Sequence, residues 1–193
     1  MRFHFPKVAS REVRFDGMLL AVLVGSLAFN VYLGVERARP APPALAGDVG
    51  QLRDGSQAPP FEAHDLKGLP VSLKYGGDTR DTLLYVFSPS CHWCERNRAN
   101  LEAIVKTRHD LHIVGIALSG DLQQLTTASS PFDVTLRPTP ATIKAYGLRA
   151  TPTTILVSSQ GKVIKEWPGA YTGPVAVDVS KVLAVSLPGL AEQ

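Results

Sequence analysis

Continuous apolar runs and helical repeats alternate along the C-terminal part of the chain. Residues 82–88 and 111–119 form two such runs, which are typical of strands buried on both faces of a sheet. Between these runs, Leu101, Ile104 and Val105 fall on one face of a helix. The pattern therefore predicts a strand–helix–strand unit that begins near residue 82.

Turn signals predict two hairpins on either side of this unit. Residues 59–73 contain two short extended pieces around a turn at residues 67–68. Residues 153–167 contain two apolar strands that turn at residues 160–161, where the sequence is Gln-Gly.

Cap residues predict three further helices. Asp121 can cap a helix that runs to about Ala128, and a helix capped by Thr139 should stop at Gly147. Pro174 favours the start of a last helix. The apolar residues of this helix follow at helical spacing: Val175, Val179, Val182 and Leu183. A βαβ beginning and a ββα end predict an α/β sandwich with a mixed central sheet.

The N-terminal part has a different pattern. Residues 17–35 carry no charge and, as a helix, would reach roughly 28 Å, close to the thickness of a bilayer core. More Lys and Arg precede this run than follow it nearby, which favours a cytoplasmic N-terminus. We expect a cytoplasmic arm at 1–16, a transmembrane anchor at 17–35, a Pro/Ala/Gly-rich linker at 36–57 and an exported domain at 58–193.

The competing interpretation is a cleaved secretory signal. The sequence Ala-Leu-Ala at 44–46 has the form of a cleavage site, but the apolar run is longer than a usual signal core. A buried core helix is a poor alternative because the run is apolar all round. Under the anchor or the signal interpretation, the body of the protein leaves the cytoplasm.

The charge distribution argues against nucleic acid as a partner. The chain has 20 Lys/Arg and 17 Asp/Glu, and residues 1–39 hold six of the former and three of the latter. The remainder therefore carries 20 − 6 = 14 basic and 17 − 3 = 14 acidic residues. A neutral body lacks the basic surface that nucleic acid requires.

Cys91 and Cys94 are the only cysteines of the chain, and they follow the first buried strand directly. This position places Cys91 at the start of a helix, where backbone N–H groups and the helix dipole favour a thiolate. Cys94, one turn later, can resolve a mixed disulfide. The spacing therefore predicts a catalytic pair with Cys91 as the attacking thiol.

Other uses of a Cys-x-x-Cys pair fit less well. A structural disulfide would close too short a loop to restrict the unfolded chain much. A zinc site needs further ligands, and haem attachment needs His where the chain has Glu95, so we expect no metal and no cofactor. His92 can tune the thiolate or be an ordinary exposed residue, whereas Trp93 can cover the disulfide or offer a contact surface to partners.

Four segments together resemble the thioredoxin superfamily, and most of all its membrane-anchored TlpA/ResA-type thiol-disulfide oxidoreductases. They are APPFEAHDLKGLPVSL, YVFSPSCHWC, YGLRATPTTILV and SSQGKVI, and the resemblance covers residues 58–183. It implies a thioredoxin-like three-layer sandwich. It also implies that Pro152 is a cis-proline facing the cysteines and that, with Thr151, it binds an extended substrate segment.

The resemblance further implies the activity and the partners. The protein would be a protein-disulfide oxidoreductase, acting as a reductant on exported client proteins with cysteines in a role like that in cytochrome c biogenesis. A membrane electron-donor thiol protein would recharge it. The alternatives are an oxidant or isomerase of the same fold, and a non-enzymatic binding or metal-delivery module on the same scaffold.

Three positions depart from the family pattern. The buried Asp of thioredoxins is replaced by Tyr85, the Glu of ResA-type proteins by Asn97, and the Trp before the first cysteine by Ser90. Both carboxylates are associated with the proton of the resolving thiol. A water, Glu95 or no dedicated base could take their place here.

Overall fold

The computed structural model describes residues 20, 22–31, 52–75, 77, 79–128 and 131–190, and the chain forms two compact units, 1–47 and 48–193. In the first unit, the described residues are helical. None of the helices in the described part of the chain has both the length and the apolar character that a membrane crossing requires.

Several N-terminal predictions lie outside the described residues. The arm at 1–16 is wholly outside them, as is the cleavage sequence at 44–46. The anchor at 17–35 is described only in part, and so is the linker at 36–57. These boundaries remain predictions.

The second unit is built on one mixed sheet of seven strands in the order β2-β1-β5-β4-β3-β6-β7. The strands β3, β4 and β5 pair in parallel, whereas β1, β2, β6 and β7 pair antiparallel with their neighbours. The strands are β1 Phe61–His64, β2 Pro70–Leu73, β3 Asp81–Phe87, β4 Leu111–Ala117, β5 Val134–Pro138, β6 Thr153–Val157 and β7 Val163–Pro168. The helices are α1 His92–Arg96, α2 Arg98–Thr107, α3 Leu122–Ala128, α4 Pro140–Tyr146 and α5 Gly173–Leu183.

Two apolar cores lie on opposite faces of the sheet, because the side chains of a strand alternate between its faces. The first core contains Leu83, Tyr85 and Phe87 of β3, which pack against α2 and α5. The second core contains Leu84 and Val86 of β3, which pack with residues of β1 and α4. The predicted α/β sandwich with a mixed sheet is therefore confirmed.

The predicted caps position the helices as expected. Thr139 Oγ1 accepts a hydrogen bond from the Thr142 N–H at 3.2 Å, and Gly147 ends α4 with a φ of 63°. Asp121 Oδ1 accepts from the Gln124 N–H at 2.9 Å at the start of α3. Both predicted hairpins, β1–β2 and β6–β7, are also present.

The sequence patterns missed two features. They did not predict β5, which is short and ends in Arg137 and Pro138, yet it joins β4 to β1 in the sheet. They also predicted one helix after the cysteines, whereas α1 and α2 are separate helices joined at Asn97.

Replacing Gly115 in β4 with Ala should destabilise the fold. An added Cβ would lie 2.5–2.8 Å from ring carbons of Phe132, which stacks on Phe87 at 5.1 Å. Overpacking of this kind costs about 1–3 kcal/mol, measurable by urea denaturation. In a Phe132→Leu background the cost of Gly115→Ala should be smaller, and equal costs in both backgrounds would contradict the assigned contact.

Candidate active site

The turn after β3 is tied to the neighbouring strand. The Leu118 N–H donates to the Phe87 carbonyl at 3.0 Å, and the hydroxyls of Ser88 and Ser119 lie 2.6 Å apart. The Cys91 N–H then donates to the Ser88 carbonyl at 3.0 Å. These bonds fix the approach to the cysteine pair at the carboxyl ends of the central parallel strands.

Cys91 is the N-cap of α1 and forms a disulfide with Cys94, with the two Cα atoms 5.2 Å apart. The Cys94 N–H lies 3.1 Å from Cys91 Sγ and 3.0 Å from the Cys91 carbonyl oxygen. Both cysteines are partly exposed. In the reduced protein, this N–H would stabilise a thiolate at Cys91 and not at Cys94.

His92 and Trp93 lie on the exposed side of α1. The Trp93 side chain is 48% exposed, with the His92 ring edge-on at 5.5 Å and the Arg96 guanidinium over the indole at 5.2 Å. The indole therefore presents apolar surface beside the disulfide. The tuning role predicted for His92 and the contact role predicted for Trp93 stay predictions.

The Thr151-Pro152 bond is cis, as the resemblance implied. It directly precedes β6, in which Thr153 pairs with Val86 near the end of β3. The loop therefore lies at the same end of the sheet as the cysteine motif. The Pro152 carbonyl accepts a hydrogen bond from the Gly169 N–H at 2.8 Å, which holds the loop to the chain after β7. Its contact with a substrate stays a prediction.

The two positions that lack the family's carboxylates contact each other. Asn97 is completely buried, and its Nδ2 donates to the Tyr85 hydroxyl oxygen at 3.3 Å. Asn97 Oδ1 accepts from the Tyr171 N–H at 3.1 Å and from Asn100 Nδ2 at 3.0 Å. The sequence analysis identified both replacements but did not predict that Tyr85 and Asn97 contact each other. The one available signal for this contact was that both acidic residues are replaced in the same chain.

A half-open cavity of about 30 Å³ lies beside the disulfide. Its lining includes Tyr85 and the Glu95–Arg98 pair, whose Oε2 and Nη2 atoms lie 2.9 Å apart. Both cysteines also line it. Burial raises the pKa of Tyr85 to about 12, so its hydroxyl keeps its proton at neutral pH. In the described part of the chain, no three His, Cys, Asp or Glu residues group as metal ligands.

Comparison with known proteins places this site in a family. The family model described as a thioredoxin-like domain matches residues 73–179. The chain is 27% identical over 160 residues to the thiol-disulfide oxidoreductase ResA of Halalkalibacterium halodurans, covering 80% of this chain and 85% of that protein. It is 25% identical over 165 residues to the protein of the same name from Bacillus cereus, covering 82% and 88%.

Solved structures share the fold. A thiol:disulfide interchange protein from Bacteroides sp. has a TM-score of 0.54 and 23% identity, covering 69% of this chain and 91% of that one. The thioredoxin domain of a thiol-disulfide oxidoreductase from Bacteroides vulgatus has a TM-score of 0.53 and 20% identity, covering 69% and 99%. The chain therefore belongs to the thioredoxin-like family, with the fold and the Cys-x-x-Cys disulfide of a protein-disulfide oxidoreductase.

Proposed function

We propose that this oxidoreductase is tethered to a membrane and reduces disulfides in exported client proteins. The observation that carries the proposal is the asymmetry of the cysteine pair. Cys91 caps α1 and receives a backbone N–H at its sulfur, whereas Cys94 donates that N–H. One thiol is thereby suited to attack and the other to resolution.

The reaction transfers two electrons to the client in two exchanges. The Cys91 thiolate attacks a client disulfide, the client S–S bond breaks, and one client sulfur leaves as a thiolate that takes up a proton. Cys94, after losing its proton, then attacks Cys91 Sγ in the mixed disulfide. The second client sulfur leaves, and the Cys91–Cys94 disulfide forms. A membrane thiol protein regenerates the dithiol by the same exchanges in reverse.

Two surfaces beside the disulfide suit a polypeptide client. The Thr151-Pro152 loop offers backbone groups at the edge where β3 ends, and Trp93 offers an exposed apolar ring. A client segment that lies extended along the loop would bring its sulfur toward Cys91. Cytochrome c precursors, which the resemblance implies, are one client class to be tested.

The roles of the two cysteines can be separated by trapping. Cys94→Ser should accumulate mixed disulfides with clients because the resolving thiol is missing, whereas Cys91→Ser should accumulate none. Non-reducing electrophoresis followed by mass spectrometry of the trapped partners measures this. If neither variant traps a protein, a non-enzymatic binding module becomes the better interpretation, and the reverse pattern would exchange the two roles.

The direction of transfer depends on how strongly the fold stabilises the reduced form. Cys91 Sγ accepts one backbone N–H, and Glu95 places a negative charge in the first turn of α1. This is weak stabilisation of a thiolate, so the reduced form should give up its electrons readily.

We therefore expect a reduction potential nearer to that of thioredoxin, about −270 mV, than to that of the oxidant DsbA, about −120 mV. Equilibration of the purified protein with glutathione or dithiothreitol buffers gives this value. Glu95→Gln should move the potential toward less negative values, and Glu102→Gln, at a partly exposed position on α2, is the matched control. A wild-type potential close to that of DsbA would favour the oxidant or isomerase alternative.

The membrane tether is supported by the 19-residue uncharged run at 17–35 and by the basic residues before it. We expect the mature protein to retain this run and to remain with membranes after a carbonate wash. Mass analysis of the mature N-terminus provides the measurement. A mature chain that begins at Gly47 would instead establish cleavage after the sequence at 44–46.

A further inference from the structure

The orientation of the buried Asn97 side chain follows from a backbone group. The Tyr171 N–H lies 3.1 Å from Asn97 Oδ1, and a backbone N–H can only donate. The atom facing it must therefore be the carbonyl oxygen of the carboxamide. The opposite atom, Nδ2, faces the Tyr85 hydroxyl at 3.3 Å and must donate to it.

A second carboxamide is oriented in the same way. The Gly189 N–H donates to Asn100 Oδ1 at 2.9 Å, so the amide nitrogen of Asn100 is the group that faces Asn97. The hydrogen bonds then run in one direction, from Gly189 through Asn100 and Asn97 to Tyr85. Each residue accepts from the one before it and donates to the next, an arrangement in which bonds polarise one another.

This direction decides where the Tyr85 proton points. The hydroxyl oxygen accepts from Asn97, so its own proton is available to another acceptor. Among the residues that the structure describes, none accepts it. Tyr85 and Cys94 both line the cavity beside the disulfide, and a cavity of about 30 Å³ can hold a water molecule.

We propose that Tyr85 donates a hydrogen bond, directly or through one water in this cavity, to the thiolate of Cys94 when that residue resolves a mixed disulfide. The proposal deepens the proposed function, because it concerns the resolving thiol of that exchange. Where the family's carboxylates would accept a proton, Tyr85 instead stabilises the anion. The proton of Cys94 passes to solvent, and the departing client thiolate takes up a proton in turn.

The charged groups around the cavity do not compete with this role. Among the described residues of its lining, Glu95 and Arg98 are the two that are charged, and their Oε2 and Nη2 atoms lie 2.9 Å apart. The other titratable residues that the structure describes in this lining are Cys91, Cys94 and Tyr85 itself.

The test measures the acidity of Cys94 alone. The full chain carrying Cys91→Ser is reduced, and its alkylation by iodoacetamide is followed against pH. Adding Tyr85→Phe should raise the midpoint by about one pH unit, as expected for the loss of one hydrogen bond to a charged sulfur. Replacing Tyr85 site-specifically with 3-fluorotyrosine, a stronger donor of nearly the same shape, should lower the midpoint.

Tyr75→Phe is the matched control. Tyr75 is partly buried, its pKa is likewise raised to about 12 by burial of the hydroxyl, and that hydroxyl bonds to the hydroxyl of Tyr146 at 2.8 Å, but Tyr75 packs against the other core. Its removal should leave the midpoint unchanged. An unchanged midpoint in Tyr85→Phe, or an equal shift in Tyr75→Phe, would overturn the proposal.

The fluorotyrosine variant keeps the proposal testable should Tyr85→Phe fail to fold. A midpoint that stays constant or rises in that variant would also overturn it. The alkylation needs no client, so its outcome is independent of client trapping. A shifted midpoint without trapped clients would contradict the proposed function and leave the role of Tyr85 intact.

Discussion

The carboxamide of Asn97 joins three parts of the fold that must meet for the disulfide to lie where it does. It lies at the junction of α1 and α2, donates to β3 through Tyr85, and accepts from the backbone of Tyr171 beyond β7. Removing it would leave the Tyr171 N–H buried and unpaired, at a cost of about 1–3 kcal/mol. The short helix that carries the cysteines is thus anchored by one neutral side chain beneath it.

The main difference between this site and the family pattern is that neutral side chains, Tyr85 and Asn97, stand where the family has carboxylates. A buried carboxylate near a dithiol titrates in the same pH range as the thiols and couples to them. Amides do not titrate, and burial keeps the Tyr85 phenol protonated far above neutral pH. Under the proposed roles of the two cysteines, the acidity of Cys94 therefore depends here on fixed dipoles.

The sequence predicted those features whose signals are local. The N-cap at Thr139 and the stop at Gly147 each follow from a residue and its immediate neighbours, and both are confirmed. The cis bond before Pro152 was predicted from the segment YGLRATPTTILV, one of the local motifs that carry the resemblance. Strand β5 was missed because its five residues have no periodic signal, and its identity as a strand comes from pairing with β1 and β4.

The same distinction applies to the site. Cys91 and Cys94 are recognisable from their spacing, and the structure joins them as a disulfide. The contact between Tyr85 and Asn97 was not predictable, because it depends on how β3 packs against the helix junction. A helical repeat could continue through Asn97, and only its tertiary partners explain why α1 ends there.

Helix α1 has no fully buried residue, and the two residues between the cysteines point outward. Substitutions at His92 and Trp93 thus remove little core packing, while they change the surface that surrounds the reactive sulfur. Selection can vary these two positions almost independently of folding. With the roles predicted for His92 and Trp93, a lineage of such proteins could change clients or redox poise through this dipeptide while the scaffold that holds it stays the same.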